Sequence, residues 1–321
     1  MPKIYITDKI PENGIQLLRL KGYDVETNQL GKDISSDDLK RIFSSFNAVI
    51  TMVNDQIDEK IIKAASTKLK VIANFAVGYD NIDLISASKK GIIVTNTPGV
   101  ASESVAEHTF ALIFALNKQI LAADRFVGNG QFKKFVPNLF LSRQLWGQTI
   151  GIIGLGRIGT FVGQIAYGGF RMQILYFDIK RSEDFELIYE AKLCELDTIL
   201  KDADIVTLHV PLSKNTHHLI GKRELKLMKD SAILINTARG LIVDEEALVW
   251  ALKSGEIAGA GLDVFEHEPN ISADLLQLDN VILTPHTASA TIETREKMSQ
   301  IAAQNIIDVF EGREPMGLVK V

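Results

Sequence analysis

The chain has 321 residues, room for two domains with a core each. Its formal net charge of −5 gives no electrostatic case for nucleic acid, and its longest apolar run, 110–116, is far too short to span a membrane. One cysteine, Cys194, excludes an internal disulfide; with a strand pattern at the very start and no leader ahead of it, the expected compartment is the cytoplasm.

Short apolar runs and amphipathic stretches alternate from the start. Residues 3–7 read as a strand, 11–20 as a helix opened by Pro11, and 23–27 as a second strand. Ser36 is placed to cap a helix carrying Leu39, Ile42 and Phe43. Strands at 48–52, 71–75 and 91–95 alternate with helices at 59–65 and 81–88, which makes a small parallel α/β layer. Asn96-Thr97-Pro98-Gly99 breaks the pattern and marks a hinge. A long helix follows. Ser104 and Glu107 stand at capping-box spacing, and residues 105–123 are apolar on nearly all sides, as in a helix buried between domains or subunits. Residues 128–147 are irregular.

The next stretch organises the rest. Residues 149–153 form a short β-branched run, and Gly154, Gly156 and Gly159 follow at G-x-G-x-x-G spacing. Gly154 suits a tight turn, Gly156 a close backbone approach to a pyrophosphate, and Gly159 a helix packed hard on its strand. The helix is expected to stop at Gly168-Gly169, and a strand at 172–177 ends on Asp178. That carboxylate is placed to accept hydrogen bonds from an adenosine ribose, which favours NAD over NADP because a 2′-phosphate would face its charge. Lys180 and Arg181 follow directly and soften that preference.

Later strands are expected at 204–210, 232–236, 258–263 and 281–284, with helices at 195–201, 222–228 and 244–253 between them, completing a doubly wound parallel sheet. A last helix over 291–310 is long enough to carry the chain back to the first domain. In such sheets ligands lie beyond the carboxyl ends of the strands. The residues found there are Arg239, Asp263 with Glu266 and Glu268, and His286. These types suit one chemistry. An imidazole can give a proton to a carbonyl oxygen, a carboxylate beside it favours the cation, and a guanidinium can hold a substrate carboxylate. Glu268 and Glu266 compete for the place beside the histidine. The remaining histidines do not cluster at ligand spacing: His108 reads as a packed helix residue, His209 as a strand end and His217-His218 as an exposed loop. No metal centre is expected.

The motifs together resemble the D-isomer-specific 2-hydroxyacid dehydrogenase family over essentially the whole chain. They are the stretch from Asn74 to Asp83, Thr95-Asn-Thr-Pro-Gly99, Gly151 to Gly159, His209-Val-Pro-Leu212, Asn236-Thr-Ala-Arg-Gly240, Gly259 to Glu266 with Glu268-Pro269, and Thr284-Pro-His286. The resemblance implies a Rossmann-type NAD-binding domain over 99–286 and a flavodoxin-like substrate domain built from 1–98 and 287–321. It implies His286 as acid/base, Glu268 as its partner and Arg239 as substrate anchor, with Val77 and Gly78 offering N–H groups to the substrate carboxylate. Arg157 and Ile158 would meet the pyrophosphate, Asp178 the ribose, Asp263 the nicotinamide amide, and Thr237 and Ala238 would lie along the cofactor. The long helix would belong to a homodimer interface. The Val77-Gly78-Tyr79-Asp80 loop is most similar to that of glyoxylate/hydroxypyruvate reductases, while 138–142 departs from their glycine-containing form.

The expected function is therefore hydride transfer between NAD(H) and a small 2-keto acid or D-2-hydroxy acid, with the cleft closing about Pro98 and His286. Two other readings use the same scaffold: a dinucleotide-sensing, corepressor-like binding protein, and a dehydrogenase of another small anion such as phosphite.

Overall fold

Two parallel sheets carry the chain, each in its own unit. The computed structural model describes residues 1–28 and 34–320. One unit comprises Met1–Ala101 with Ala290–Val321, and the other Ser102–Ser289.

Among the described residues the first unit has five strands: β1 (Lys3–Ile6), β2 (Asp24–Thr27), β3 (Ala48–Thr51), β4 (Val71–Asn74) and β5 (Ile93–Thr95). All pair in parallel in the order β2-β1-β3-β4-β5, the flavodoxin-like arrangement. β3 and β4 are buried at every position, as continuous apolar strands covered on both faces should be. The last helix, Ile292–Phe310, closes this unit. Its Met298, Ala302 and Ile306 share a core with Ile4, Ile6 and Val71.

The second unit has β6 (Thr149–Ile153), β7 (Gln173–Phe177), β8 (Lys192–Leu193), β9 (Ile205–Leu208), β10 (Ile233–Asn236), β11 (Gly259–Leu262) and β12 (Val281–Leu283). Their order is β12-β11-β10-β9-β6-β7-β8. The winding reverses at β6, which pairs with β7 on one side and β9 on the other. A crevice for a dinucleotide is expected beyond the carboxyl ends of β6 and β9.

Several helix ends differ from the sequence reading. Ser35, not Ser36, caps the helix Ser36–Ser45, in a capping box with Asp38. The helix expected from 81 starts at Leu84, because Asp83 supplies the cap. The helix after β6 runs through Gly168 and Gly169 to Phe170 and ends on Arg171 in the left-handed conformation. The long helix begins at Ser102, so Ser104 and Glu107 lie inside it rather than at its cap. It also divides, into Ser102–Asn117 and Ile120–Gly128, at a left-handed Gln119. The first half buries Val105, Phe110, Leu112 and Ile113; the second buries nothing within this chain.

Candidate active site

β6 leads straight into the glycine turn. Gly154 has φ +96°, and a Cβ there would stand 2.7 Å from the backbone of His209 at the end of β9. A Cβ on Gly159 would lie 2.2 Å from the carbonyl oxygen of Gly154, so only glycine lets the helix Arg157–Phe170 sit this close. A Cβ on Gly156 would meet nothing within 4 Å. The open space there, over a helix start with uncommitted N–H groups, fits a pyrophosphate. Arg157 and Ile158 open that helix. Asp178, after β7, accepts the N–H of Leu155 at 2.7 Å and that of Lys180 at 3.0 Å, which aims the carboxylate along the same edge. These residues fit a dinucleotide.

Arg239, Glu268 and His286 follow β10, β11 and β12 on that edge, and the last two are in contact. Nδ1 of His286 lies 2.9 Å from Oε2 of Glu268. Oε1 of Glu268 accepts the N–H of Phe265 at 2.9 Å. Burial pushes the Glu268 carboxyl up, but the hydrogen bond and charge of His286, the Phe265 N–H and the Arg239 guanidinium together hold it below the usual carboxylate range. Arg239 thus acts on the same carboxylate. Both the imidazole and the carboxylate keep about a third of their surface exposed.

The turn before Arg239 is set by buried Asn236. Its amide donates to the Arg239 carbonyl at 2.9 Å and its oxygen accepts the Ala238 N–H at 3.0 Å. Gly240 then presses on the next loop, where a Cβ would fall 1.9 Å from the Phe265 carbonyl group. Thr237 is buried, with its hydroxyl 3.2 Å from that of Thr109.

The geometry separates the two competing acids. Glu266 turns the other way: Oε1 lies 3.0 Å from Nε2 of His218, and Oε2 accepts the Glu245 N–H. Glu245 returns the bond by accepting the Glu266 N–H at 3.2 Å. Glu266 therefore fixes the loop that carries Glu268, and His218 is its partner rather than an exposed loop residue.

Asp263 has a role in this structure that the resemblance does not give it. It is fully buried, and its carboxylate accepts the Thr284 hydroxyl at 2.6 Å and the N–H groups of Thr287 and Ala288 at 2.8 Å. Burial raises its carboxyl, but these bonds and Nε2 of His108, 3.4 Å away, outweigh that and hold it below the usual range. Asp263 thereby clamps the segment around His286. His108 was legible only as a packed helix residue; it bonds Thr284 at 3.0 Å from 176 positions away. His209 is held by Thr207, and burial pushes its imidazole down to about 3, so it stays neutral. Among the described residues no group of three His, Cys, Asp or Glu side chains could hold a metal.

In the first unit, the loop after β4 is held from beneath. The Val77 carbonyl accepts from the Asn96 amide at 2.7 Å, and the Gly78 carbonyl from the buried Asn74 amide at 2.8 Å.

Comparison with known proteins extends this picture. Residues 110–288 match the model of the D-isomer specific 2-hydroxyacid dehydrogenase NAD binding domain. A glyoxylate reductase of Thermococcus litoralis is 46% identical over 99% of this chain and 96% of its own. The chain belongs to the D-isomer specific 2-hydroxyacid dehydrogenase family. A crystal structure of the TT0316 protein of Thermus thermophilus superposes with a TM-score of 0.92 at 39% identity, covering 99% of this chain and all of that one. An NADPH-dependent glyoxylate/hydroxypyruvate reductase of Sinorhizobium meliloti, in complex with NADP and malonate, has a TM-score of 0.84 at 31% identity, covering 99% and 96%. As a member of this family the protein is a nicotinamide-dependent oxidoreductase of the 2-keto acid and 2-hydroxy acid couple, and the unit Ser102–Ser289 contains its dinucleotide-binding fold. Among the described residues no helix is long and apolar enough to cross a membrane.

Proposed function

We propose that this dehydrogenase reduces small 2-keto acids such as glyoxylate or hydroxypyruvate to D-2-hydroxy acids with NADH, with His286 as the acid/base. The observation that carries the reading is the contact of Nδ1 of His286 with a Glu268 carboxylate that also feels Arg239. When bound, the reduced dinucleotide supplies a hydride to the carbonyl carbon. Nε2 of His286 gives the carbonyl oxygen its proton. Glu268 orients the ring through Nδ1 and stabilises the cationic form that donates. Arg239 holds the substrate carboxylate and polarises the carbonyl. Val77 and Gly78, on the loop whose carbonyls Asn96 and Asn74 hold, would offer backbone N–H groups to a substrate carboxylate.

Gly154, Gly156, Arg157, Ile158 and Gly159 would receive the pyrophosphate and Asp178 the adenosine ribose. Thr237 and Ala238 would lie along the cofactor, and Asp263 would hold the nicotinamide amide. The Asp178 charge supports NAD over NADP. A free Cys194 is in keeping with the reducing cytoplasm.

A homodimer completes the reading. The helix Ile120–Gly128 buries no residue, and Ile120, Leu121 and Val127 are exposed, as are Phe132, Phe135, Leu141 and Trp146 beyond it. So much apolar surface along one segment marks an interface. A second copy would cover it, and sedimentation equilibrium tests this.

The function itself is tested by NADH and NADPH oxidation with glyoxylate, hydroxypyruvate, pyruvate and bulkier keto acids. The proposal expects the highest kcat/KM with a two- or three-carbon acid and NADH. No turnover on any of them refutes it.

A further inference from the structure

The segment Asp178-Ile179-Lys180-Arg181 carries opposed signals, a carboxylate suited to a ribose 2′-hydroxyl and two cations suited to a 2′-phosphate. The structure shows how one cation is disposed. Nε of Arg181 donates to both oxygens of Glu186, at 3.1 and 3.0 Å, and Nη2 donates to Oε2 at 2.7 Å. This is a bidentate pair, the geometry a guanidinium would otherwise offer to a phosphate. Glu186 is itself anchored. Its Oε1 accepts the hydroxyl of the fully buried Tyr176 at 2.8 Å, and that hydroxyl in turn accepts the Ser182 N–H at 3.0 Å. The Glu186 side chain is 15% exposed, whereas that of Arg181 is 60% exposed. The acid is the fixed member and the arginine the one held to it. Glu183 and Asp184 in the same first helical turn add negative charge on this side.

We infer that Glu186 is a specificity-determining residue: by engaging the Arg181 guanidinium it withholds that side chain from the 2′-phosphate of NADP(H). Asp178 alone would then be only part of the preference for NAD(H). The inference rests on the reading that the adenosine ribose lies at Asp178. With Glu186 neutralised, Arg181 is released three residues from that carboxylate, next to Lys180, and can turn to a phosphate there.

The test is equilibrium titration of the intact protein with NADH, NADPH and 2′,5′-ADP, followed by calorimetry, so that turnover is not needed. Glu186→Gln keeps an oxygen for the Tyr176 hydroxyl and so preserves the turn. The expected result is that Glu186→Gln tightens NADPH and 2′,5′-ADP by about ten-fold or more, the size of a charge-assisted hydrogen bond, and leaves NADH where it was. Adding Arg181→Ala to Glu186→Gln should cancel the gain, and Arg181→Ala alone should change nothing. An unchanged NADPH affinity in Glu186→Gln overturns the inference, as does a gain that survives loss of Arg181. The NAD reading is judged separately, on the unmodified protein: equal affinity for NADH and NADPH there refutes that reading, whereas the role of Glu186 is judged on the change from it.

Discussion

Glu268 faces His286 with one carboxylate oxygen, 2.9 Å from Nδ1, and its own loop with the other, 2.9 Å from the Phe265 nitrogen. The carboxylate is thereby oriented at both ends. Replacing it by Gln keeps the shape and removes the charge. Glu268→Gln should lower kcat/KM for reduction by about 10²-fold or more, since the imidazole loses its charged partner. The sign for stability follows from the lowered carboxyl. A group depressed in the folded state contributes above the ordinary carboxylate value and loses that contribution as pH falls through its folded value. Acid titration of unfolding should therefore be shallower in Glu268→Gln than in the unmodified protein.

Asp263 supports the same histidine from below. Its backbone carbonyl accepts the His286 N–H at 2.8 Å, and its side chain takes Thr284, Thr287 and Ala288. His286 sits at φ +53°, a conformation that needs such support. Asp263→Ala leaves buried donors without acceptors and should cost about 3 kcal/mol or more in urea unfolding. Activity should fall with it, because His286 is no longer held.

Gly240 has no room for a methyl group. A Cβ would overlap the Phe265 carbonyl group at 1.9 Å, and backbone on backbone cannot yield cheaply. Gly240→Ala should destabilise by about 3 kcal/mol, the upper end for overpacking, and separate Arg239 from Glu268. A thermal melt and the KM for the keto acid read the two effects.

Asn96 should separate binding from chemistry. Its amide holds the Val77 carbonyl, and its own carbonyl is held by Asn305. Asn96→Ala should raise the KM for the keto acid about ten-fold, the worth of one or two hydrogen bonds, while kcat and NADH affinity change little.

Much of this could be read along the chain because the relevant signals are local. The glycine fingerprint, the acid ending β7 and the strand-end placement of Arg239, Glu268 and His286 all follow from short stretches. Other features depend on residues far away. Glu266 and Glu268 stand two apart, and only the press of Gly240 on Phe265 and the exchange with Glu245 turn them to different histidines. His108 gains its place from Thr284 and Asp263. The break at Gln119 carries no glycine or proline to announce it, and Gly168 and Gly169 stay helical, the turn falling on Arg171 instead. The clamp of Asp263 on Thr284, Thr287 and Ala288 spans 21 to 25 positions, so no short stretch announces it.

The proton donor is the centre of the proposal, and one variant addresses it. In His286→Ala, stopped-flow reduction of glyoxylate at saturating NADH should slow by about 10²- to 10⁴-fold, the range for loss of a general acid, with the NADH Kd unchanged. Turnover at the rate of the unmodified protein would contradict the assignment of the acid/base to His286.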